Sequence, residues 1–217
     1  MCVGGALASG LLLDGYRRGL FAMGVRLRRR EVLGWFSPDP RGVLEPAAVH
    51  ESRSLRRSSR RFETRVDCAF DEVVAACADP ARDGAWIDGR YARAYRELYD
   101  AGLAHSVETW AGGRLVGGLF GVALGGLFAA ESKFHRETDA SKHAVVALCR
   151  LLAADPTGPR LVDVQWSTPH LETLGVTELT RSGYLARLPA LLATPSPAGL
   201  SRPGPVEVPP PSRTTTS

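Results

Sequence analysis

The chain has 217 residues, of which 44% are apolar and 23% charged, with a formal net charge of +4 and a pI near 9.1. That length supports one or two domains with a real core, and the apolar share is that of a globular rather than a disordered or fibrous chain. No run of about 18 apolar residues is present to cross a bilayer, and the cysteines at positions 2, 68, 77 and 149 form neither a Cys-x-x-Cys pair nor a ligand spacing with the histidines. A disulfide framework, a structural zinc site and a membrane span are therefore not expected.

The apolar stretch from Leu7 to Leu20 reads as a helix. Its first half lacks the basic lead-in of a secretory signal and runs into Asp14-Gly15-Tyr16-Arg17-Arg18, so a cytoplasmic setting is expected. Of the 27 basic residues only Lys133 and Lys142 are lysines, and the arginines cluster at Arg26 to Arg30 and at Arg53 to Arg65. The second run contains Arg53, Arg56, Arg57, Arg60 and Arg61. Such runs read either as a solvated charged face or as a surface for a polyanion such as RNA. Between them, Trp35-Phe36-Ser37-Pro38-Asp39-Pro40-Arg41 reads as a rigid loop presenting aromatics and an arginine, because two prolines bar regular helix.

From residue 61 the pattern is α+β. Arg61 to Val66 reads as a strand, Phe70 to Ala78 as a helix, and Asp88 to Ala101 as an amphipathic helix with Tyr91, Tyr95 and Leu98 on one stripe. His105 to Trp110 and Arg114 to Leu124, joined by Ala111-Gly112-Gly113, read as a hairpin. Glycines 117, 118, 121, 125 and 126 predict bulges or a close backbone approach to something bound. Leu127 to Phe134 reads as a further strand, Asp139 to Ala154 as a helix capped by Asp139, and Leu161 to Trp166 as a buried strand. Residues 190–217 are rich in Pro, Ser and Thr and are expected to be disordered.

Strand Leu161 to Trp166 carries Asp163 and Gln165, two polar side chains that alternation puts on one face of an apolar run. Burying both is costly unless they are hydrogen-bonded. Two readings follow: a functional site, or a structural carboxylate that pins a loop or caps a helix.

Four segments, YRRGLF from Tyr16, WFSPDPRGVLEP from Trp35, AAESKFHRETDASK from Ala129 and DVQWSTPHLETLG from Asp163, closely resemble in order and spacing the bacterial leucyl/phenylalanyl-tRNA–protein transferases. The resemblance runs from about Gly4 to Leu188 and includes HSVETWAGGRLVGGLFGVALG from His105. It implies a small N-terminal α/β domain over 1–60, a GNAT-like acyltransferase domain over 61–189 with a mixed sheet flanked by helices, and a tail over 190–217 outside the family.

The activity it implies is transfer of a leucyl or phenylalanyl group, with methionyl a further candidate, from aminoacyl-tRNA to the N-terminal Arg or Lys of a protein, creating an N-degron. No cofactor or metal is implied, and a monomer suffices. Asp163 and Gln165 match the family's Asp-x-Gln pair, to which a proton relay from the attacking amine is assigned; since a neutral amide is a weak base, Gln165 is expected chiefly to position. Glu131 matches the family's Gly-Glu-Ser motif and is expected to hold an amino group or basic side chain, the alternative being an arginine partner. Trp35, Phe36, Trp86 and Thr168 match positions lining the site for the tRNA end and the acceptor peptide. Leu119, Phe128, Lys133, Val145, Leu148 and Val162 match the aminoacyl side-chain pocket. Lys133 stands where methionine is usual and Thr168 where asparagine is often found. The sequence leaves two rivals: an acetyl-CoA-dependent enzyme, against which the lack of an (Arg/Gln)-x-x-Gly-x-(Gly/Ala) loop counts, and a non-catalytic RNA-binding protein.

Overall fold

The computed structural model describes residues 2–5, 7–27, 30–82, 86–200 and 203–209. The elements in chain order are β1 (Cys2–Val3), α1 (Ser9–Arg17), β2 (Phe21–Leu27), β3 (Arg30–Phe36), β4 (Arg41–Leu44), α2 (Arg53–Ser59), β5 (Glu63–Val66), α3 (Phe70–Cys77), α4 (Gly89–Asp100), β6 (Ala104–Ala111), β7 (Arg114–Leu124), β8 (Leu127–His135), α5 (Ala140–Ala153), β9 (Leu161–Gln165), α6 (Pro169–Glu172), β10 (Thr177–Leu179), α7 (Arg181–Ala193) and β11 (Gly204–Pro205). The fold is α+β, with a mixed sheet flanked by helices.

A three-stranded sheet has the order β1-β3-β2, and an eight-stranded sheet the order β10-β4-β9-β8-β7-β6-β5-β11. Every pairing in the larger sheet is antiparallel except β8 with β9. Side chains alternate across this sheet, so Phe120, Val122 and Ala129 pack with α1, α3 and α4, whereas Val107, Leu119, Phe128 and Val162 pack with α2, α5 and α6. Gly117 permits the second layer to close: a Cβ there would lie 2.6 Å from Ala140 Cβ at the start of α5. The backbone approach expected at this glycine is thus to the protein's own helix.

Several expectations are revised. The helix expected from Leu7 to Leu20 is the shorter α1, closed when Gly19, at φ +74°, and Leu20 donate to the carbonyls of Tyr16 and Gly15. The boundary expected at residue 60 does not follow the sheets, because β4 lies inside the larger one. The loop expected from Trp35 to Arg41 is confined to 37–40; Trp35 and Phe36 end β3 and Arg41 begins β4. Asp139 stands at the N-cap position of α5, as expected, but its side chain makes no cap bond; its carboxylate instead accepts from Ser58 Oγ at 2.7 Å.

The tail expected to be disordered from 190 is ordered over its described residues, 190–200 and 203–209. α7 continues to Ala193, Leu200 is buried, and β11 pairs with β5. Its apolar residues are too sparse to show a period, yet Val206 and Val208 cover the sheet's edge. Residues 210–217 lie outside the description, as do the side chains of the Arg26 to Arg30 run.

Candidate active site

Strands β8 and β9 pair only as far as Ala129 and Asp163. Beyond that rung β8 stays with β7 and β9 stays with β4, so the sheet parts beside Asp163. Asp163 is fully buried, and four donors meet it: Arg41 Nε on Oδ1 at 2.8 Å, Arg41 Nη2 on Oδ2 at 2.5 Å, the Tyr184 hydroxyl on Oδ2 at 2.8 Å and the Gln165 backbone N–H on Oδ1 at 2.9 Å.

Arg41 is itself buried, lies against the rings of Phe21 and Tyr184, and gives its remaining nitrogen to the Gly19 carbonyl at 3.2 Å. Burial works against its charge, but the bonds and charge of Asp163 outweigh it and hold the guanidinium above its ordinary pKa. Burial, then the charge of Asp163, pushes the Tyr184 hydroxyl up.

In the expected relay the Asp163 carboxylate would polarise the Gln165 side-chain amide; here it accepts from the Gln165 backbone N–H. Gly42 pairs with Gln165 and Val43 with Asp163, so Val164 is an extra residue in β9, and Gln165 sits at φ +64°. The carboxylate holds the Gln165 backbone, and the Gln165 side-chain Nε2 faces the Asp163 carbonyl at 3.4 Å. With its acceptor sites filled, Asp163 is an anchor that fixes a left-handed residue. Gly42 makes room for the turn: a Cβ there would lie 2.6 Å from the Trp166 carbonyl carbon.

Glu131 is the second carboxylate of this centre; it is buried, and it is the extra residue of a bulge, since Phe120 pairs with Ser132 and Gly121 with Ala130. A Cβ on Gly121 would run into the Ala129 carbonyl oxygen. No arginine pairs with Glu131 among the described residues; the Tyr16 hydroxyl donates to Oε1 at 2.7 Å and the Tyr95 hydroxyl to Oε2 at 2.5 Å. Burial raises its pKa to about 7; the two tyrosines and Arg41 pull it down, and the charge of Asp163 pushes it up. Burial and then the charge of Glu131 hold both tyrosines well above their ordinary pKa. Glu131 and Asp163 are therefore two unlike carboxylates: one neutralised by an arginine, the other poised near neutrality.

Beside Arg41, Phe21 stacks on Phe36 with centroids 5.6 Å apart, and Trp166 stands edge-on to Phe21 at 4.9 Å and to Phe36 at 6.1 Å. Trp166 is 42% exposed, so an open aromatic surface adjoins the buried ion pair. Among the described residues no group of His, Cys, Asp or Glu could hold a metal, and no helix is long and apolar enough to cross a membrane.

The family model for leucyl/phenylalanyl-tRNA protein transferase matches residues 43–189. The chain is 48% identical over 200 residues to the leucyl/phenylalanyl-tRNA–protein transferase of Thiobacillus denitrificans, covering 90% of this chain and 85% of that one. Its identity to the enzyme of Tolumonas auensis is 43% over 202 residues, covering 91% and 84%, and to that of Aromatoleum aromaticum 46% over 192 residues, covering 87% and 79%. The chain belongs to the leucyl/phenylalanyl-tRNA–protein transferase family.

Within this transferase the remaining expected residues fall into three groups. Leu119, Phe128, Val145, Leu148 and Val162 come together as one buried cluster under α5, and Lys133 stands opposite Leu119 in the register. Lys133 is half-buried; burial and then Arg82 hold its ammonium below the ordinary pKa. Arg53, Arg56, Arg57, Arg60 and Arg61 are all exposed on or after α2, Arg56 paired with Glu51 and Arg61 with Glu137. Of the aromatics, Phe36 joins the cluster beside Arg41, Trp35 packs on the core, and Trp86 stands edge-on to Tyr91 at 5.0 Å. Thr168 caps α6, its hydroxyl accepting from Leu171 N at 3.3 Å.

Arg41, Tyr184, Tyr16, Tyr95 and Trp166 complete the transferase's polar centre but are absent from the expected site. Arg41, Tyr16 and Trp166 lie inside the quoted motifs, and Tyr95 lies on the stripe of the α4 pattern. Tyr184 carries no local signal.

Proposed function

We propose that the protein transfers a leucyl or phenylalanyl group, with methionyl a further candidate, from aminoacyl-tRNA to the N-terminal Arg or Lys of acceptor proteins, creating an N-degron. The observation that carries the assignment of roles is the pair of unlike carboxylates where β8 and β9 part. A GNAT-like core that takes in β4 as well as residues 61–189, beside a small N-terminal unit, is the fold we assign to this chemistry. It works without a cofactor, as a monomer in the cytoplasm.

In the reaction the neutral α-amine attacks the ester carbonyl carbon. The new C–N bond forms, the C–O bond to the tRNA ribose breaks, the nitrogen loses a proton and the ribose oxygen gains one. Glu131 is our candidate proton acceptor: each carboxylate oxygen receives one tyrosine and keeps a lone pair. Asp163, saturated by its four donors, is assigned to hold Gln165 in its left-handed conformation, from which the Gln165 amide positions the substrate. We place the terminal nucleoside against Phe36 and Trp166, where stacking contributes about 1–3 kcal/mol per base, with Trp35, Trp86 and Thr168 on the surrounding walls. The donor side chain is assigned to the apolar floor of Leu119, Phe128, Val145, Leu148 and Val162, with Lys133 at its rim. The α2 arginines face the tRNA backbone.

The test is incubation with radiolabelled leucyl-tRNA and an Arg-initiated peptide. Label in the peptide is expected. Label from acetyl-CoA instead would identify an acetyltransferase, and tRNA binding without turnover would identify an RNA-binding protein.

A further inference from the structure

A cavity of about 590 Å³ lies between the small sheet and α4. Leu33, Tyr91 and Ala94, all buried, form its floor; Gly4, Gly5 and Val32 line one side and the exposed Arg93 and Glu97 the other. On the sheet side a strand edge is left open. β1 pairs with β3 only at Trp35 and Gly34, and Gly4 adds one bond, its N–H donating to the Leu33 carbonyl at 2.9 Å. Gly4 and Gly5 then take φ +115° and +91°, a turn that suits glycine and carries the chain off the edge. A residue of an antiparallel strand points its N–H and C=O the same way, so Glu31, two residues before Leu33, presents both backbone groups to this edge. β2 occupies the opposite edge, and among the described residues no backbone pairs with Glu31 on this one.

Across the cavity Arg93 and Glu97 stand one turn apart on α4, and neither has a hydrogen bond or ion pair among the described residues. An open edge accepts an extended polypeptide, whose backbone supplies the missing partners whatever its side chains. Free charges of both signs suit a chain of mixed sequence better than a polyanion. Tyr91 precedes Tyr95, whose hydroxyl holds Glu131, by one helical turn of about 6 Å. Since an extended chain advances about 3.3 Å per residue, a polypeptide whose α-amine stands at Glu131 reaches the cavity with about its third to sixth residues.

We propose that this cavity binds the acceptor protein just behind its N-terminal residue, as a short strand added to the β3 edge, with Arg93 and Glu97 facing its side chains. The inference rests on the transferase reading above and adds to it a site for the acceptor backbone.

The experiment measures transfer from leucyl-tRNA to an Arg-initiated dipeptide and octapeptide. It uses wild type, Val32→Trp, which fills the cavity, and a variant combining Arg93→Ala with Glu97→Ala at exposed positions. In wild type the octapeptide is expected to exceed the dipeptide in kcat/KM roughly tenfold, as about two backbone hydrogen bonds would give. Val32→Trp should bring that ratio close to one, and the α4 variant should lower it several-fold. With wild type, N-methylation of the one octapeptide residue that faces Glu31 should remove the gain, and methylation of its neighbours should not, because only alternate N–H groups face the edge. Equal rates for the two peptides in wild type, or a ratio that both variants leave unchanged, would overturn the proposal. Weaker tRNA binding in Val32→Trp with the ratio intact would overturn it too, in favour of nucleic acid. Absence of any transfer by wild type would count against the transferase reading alone, since fluorescence anisotropy of the labelled octapeptide, weakened in both variants, reads the cavity independently.

Discussion

Arg41 and Asp163 form a two-pronged ion pair in which Nε meets Oδ1 at 2.8 Å and Nη2 meets Oδ2 at 2.5 Å, with both side chains about 1% exposed. The pair joins residues 122 apart in the chain and ties the first strand of the larger sheet to the residue beside which that sheet parts. A buried pair is weak evidence of net stabilisation, but leaving one member alone is costly. Arg41→Met is therefore expected to destabilise the protein by about 3–5 kcal/mol. Arg41→Lys, which keeps the charge but cannot form both prongs, should fall between it and wild type. Denaturant unfolding of the three proteins checks the order; equal stability of Arg41→Met and wild type would show that the pair anchors nothing.

Gln165 separates a backbone requirement from a side-chain one. At φ +64° an L-residue other than glycine is disfavoured by roughly 1–2 kcal/mol. Gln165→Gly is accordingly expected to be more stable than Gln165→Ala by about 1 kcal/mol. If the amide positions substrate, both variants lose transfer to a similar extent, at least tenfold in kcat/KM. Stability and steady-state transfer measured side by side decide the matter, and retention of activity in Gln165→Gly would remove the amide from the mechanism.

Glu131 should impose a pH dependence of known sign. Burial lifts its pKa from the ordinary 4.5 to about 7 in the folded protein. Between those values the folded chain keeps a proton that the unfolded chain has released, so this group's contribution to stability falls as pH rises through the window and levels off above about 7. Glu131→Gln is expected to lack that slope, a difference on the order of 3 kcal/mol across the window. Single-turnover transfer, in contrast, should rise with pH and reach a plateau above about 7 as the carboxylate becomes free to accept a proton. Tyr95→Phe removes a donor that favours the charged form and should move the midpoint upward. A pH-independent rate in wild type would exclude Glu131 as the acceptor.

Much of the sheet and its helices can be read from sequence because each element buries one face with a regular period. The expected helix Phe70 to Ala78 is α3, the expected Asp88 to Ala101 is α4 with Asp88 as its cap, and the hairpin around Gly112-Gly113 is β6 and β7. The polar centre is less legible because both candidate carboxylates stand at or beside bulges, where strict alternation fails: Glu131 is itself an extra residue, and Val164 displaces Gln165 from the face expected for it. Arg41, after two prolines, reads as a surface residue; only the distant Asp163 makes its burial possible. The strap around β11 has the same character, since Gly204 and Pro205 carry no strand signal and pair because β5 offers an open edge.

Lys133 is where this chain's donor preference should depart from the family's usual pattern. Its ammonium is half-buried opposite Leu119, held below its ordinary pKa by burial and by Arg82, and no ion pair compensates it among the described residues. Replacing it with the methionine usual at this position keeps a long unbranched side chain, one atom shorter, and removes a poorly solvated charge. Lys133→Met is therefore expected to be more stable at neutral pH by about 1 kcal/mol. The gain should shrink above the folded pKa, where wild-type Lys133 is neutral and its charge no longer penalises the fold. If Lys133 also rims the donor pocket, the same substitution widens the apolar floor and should raise transfer from phenylalanyl-tRNA relative to leucyl-tRNA several-fold. Competition between the two charged tRNAs on one Arg-initiated peptide measures that ratio directly. A stabilised variant with an unaltered ratio would leave Lys133 as a costly surface feature and move the pocket elsewhere.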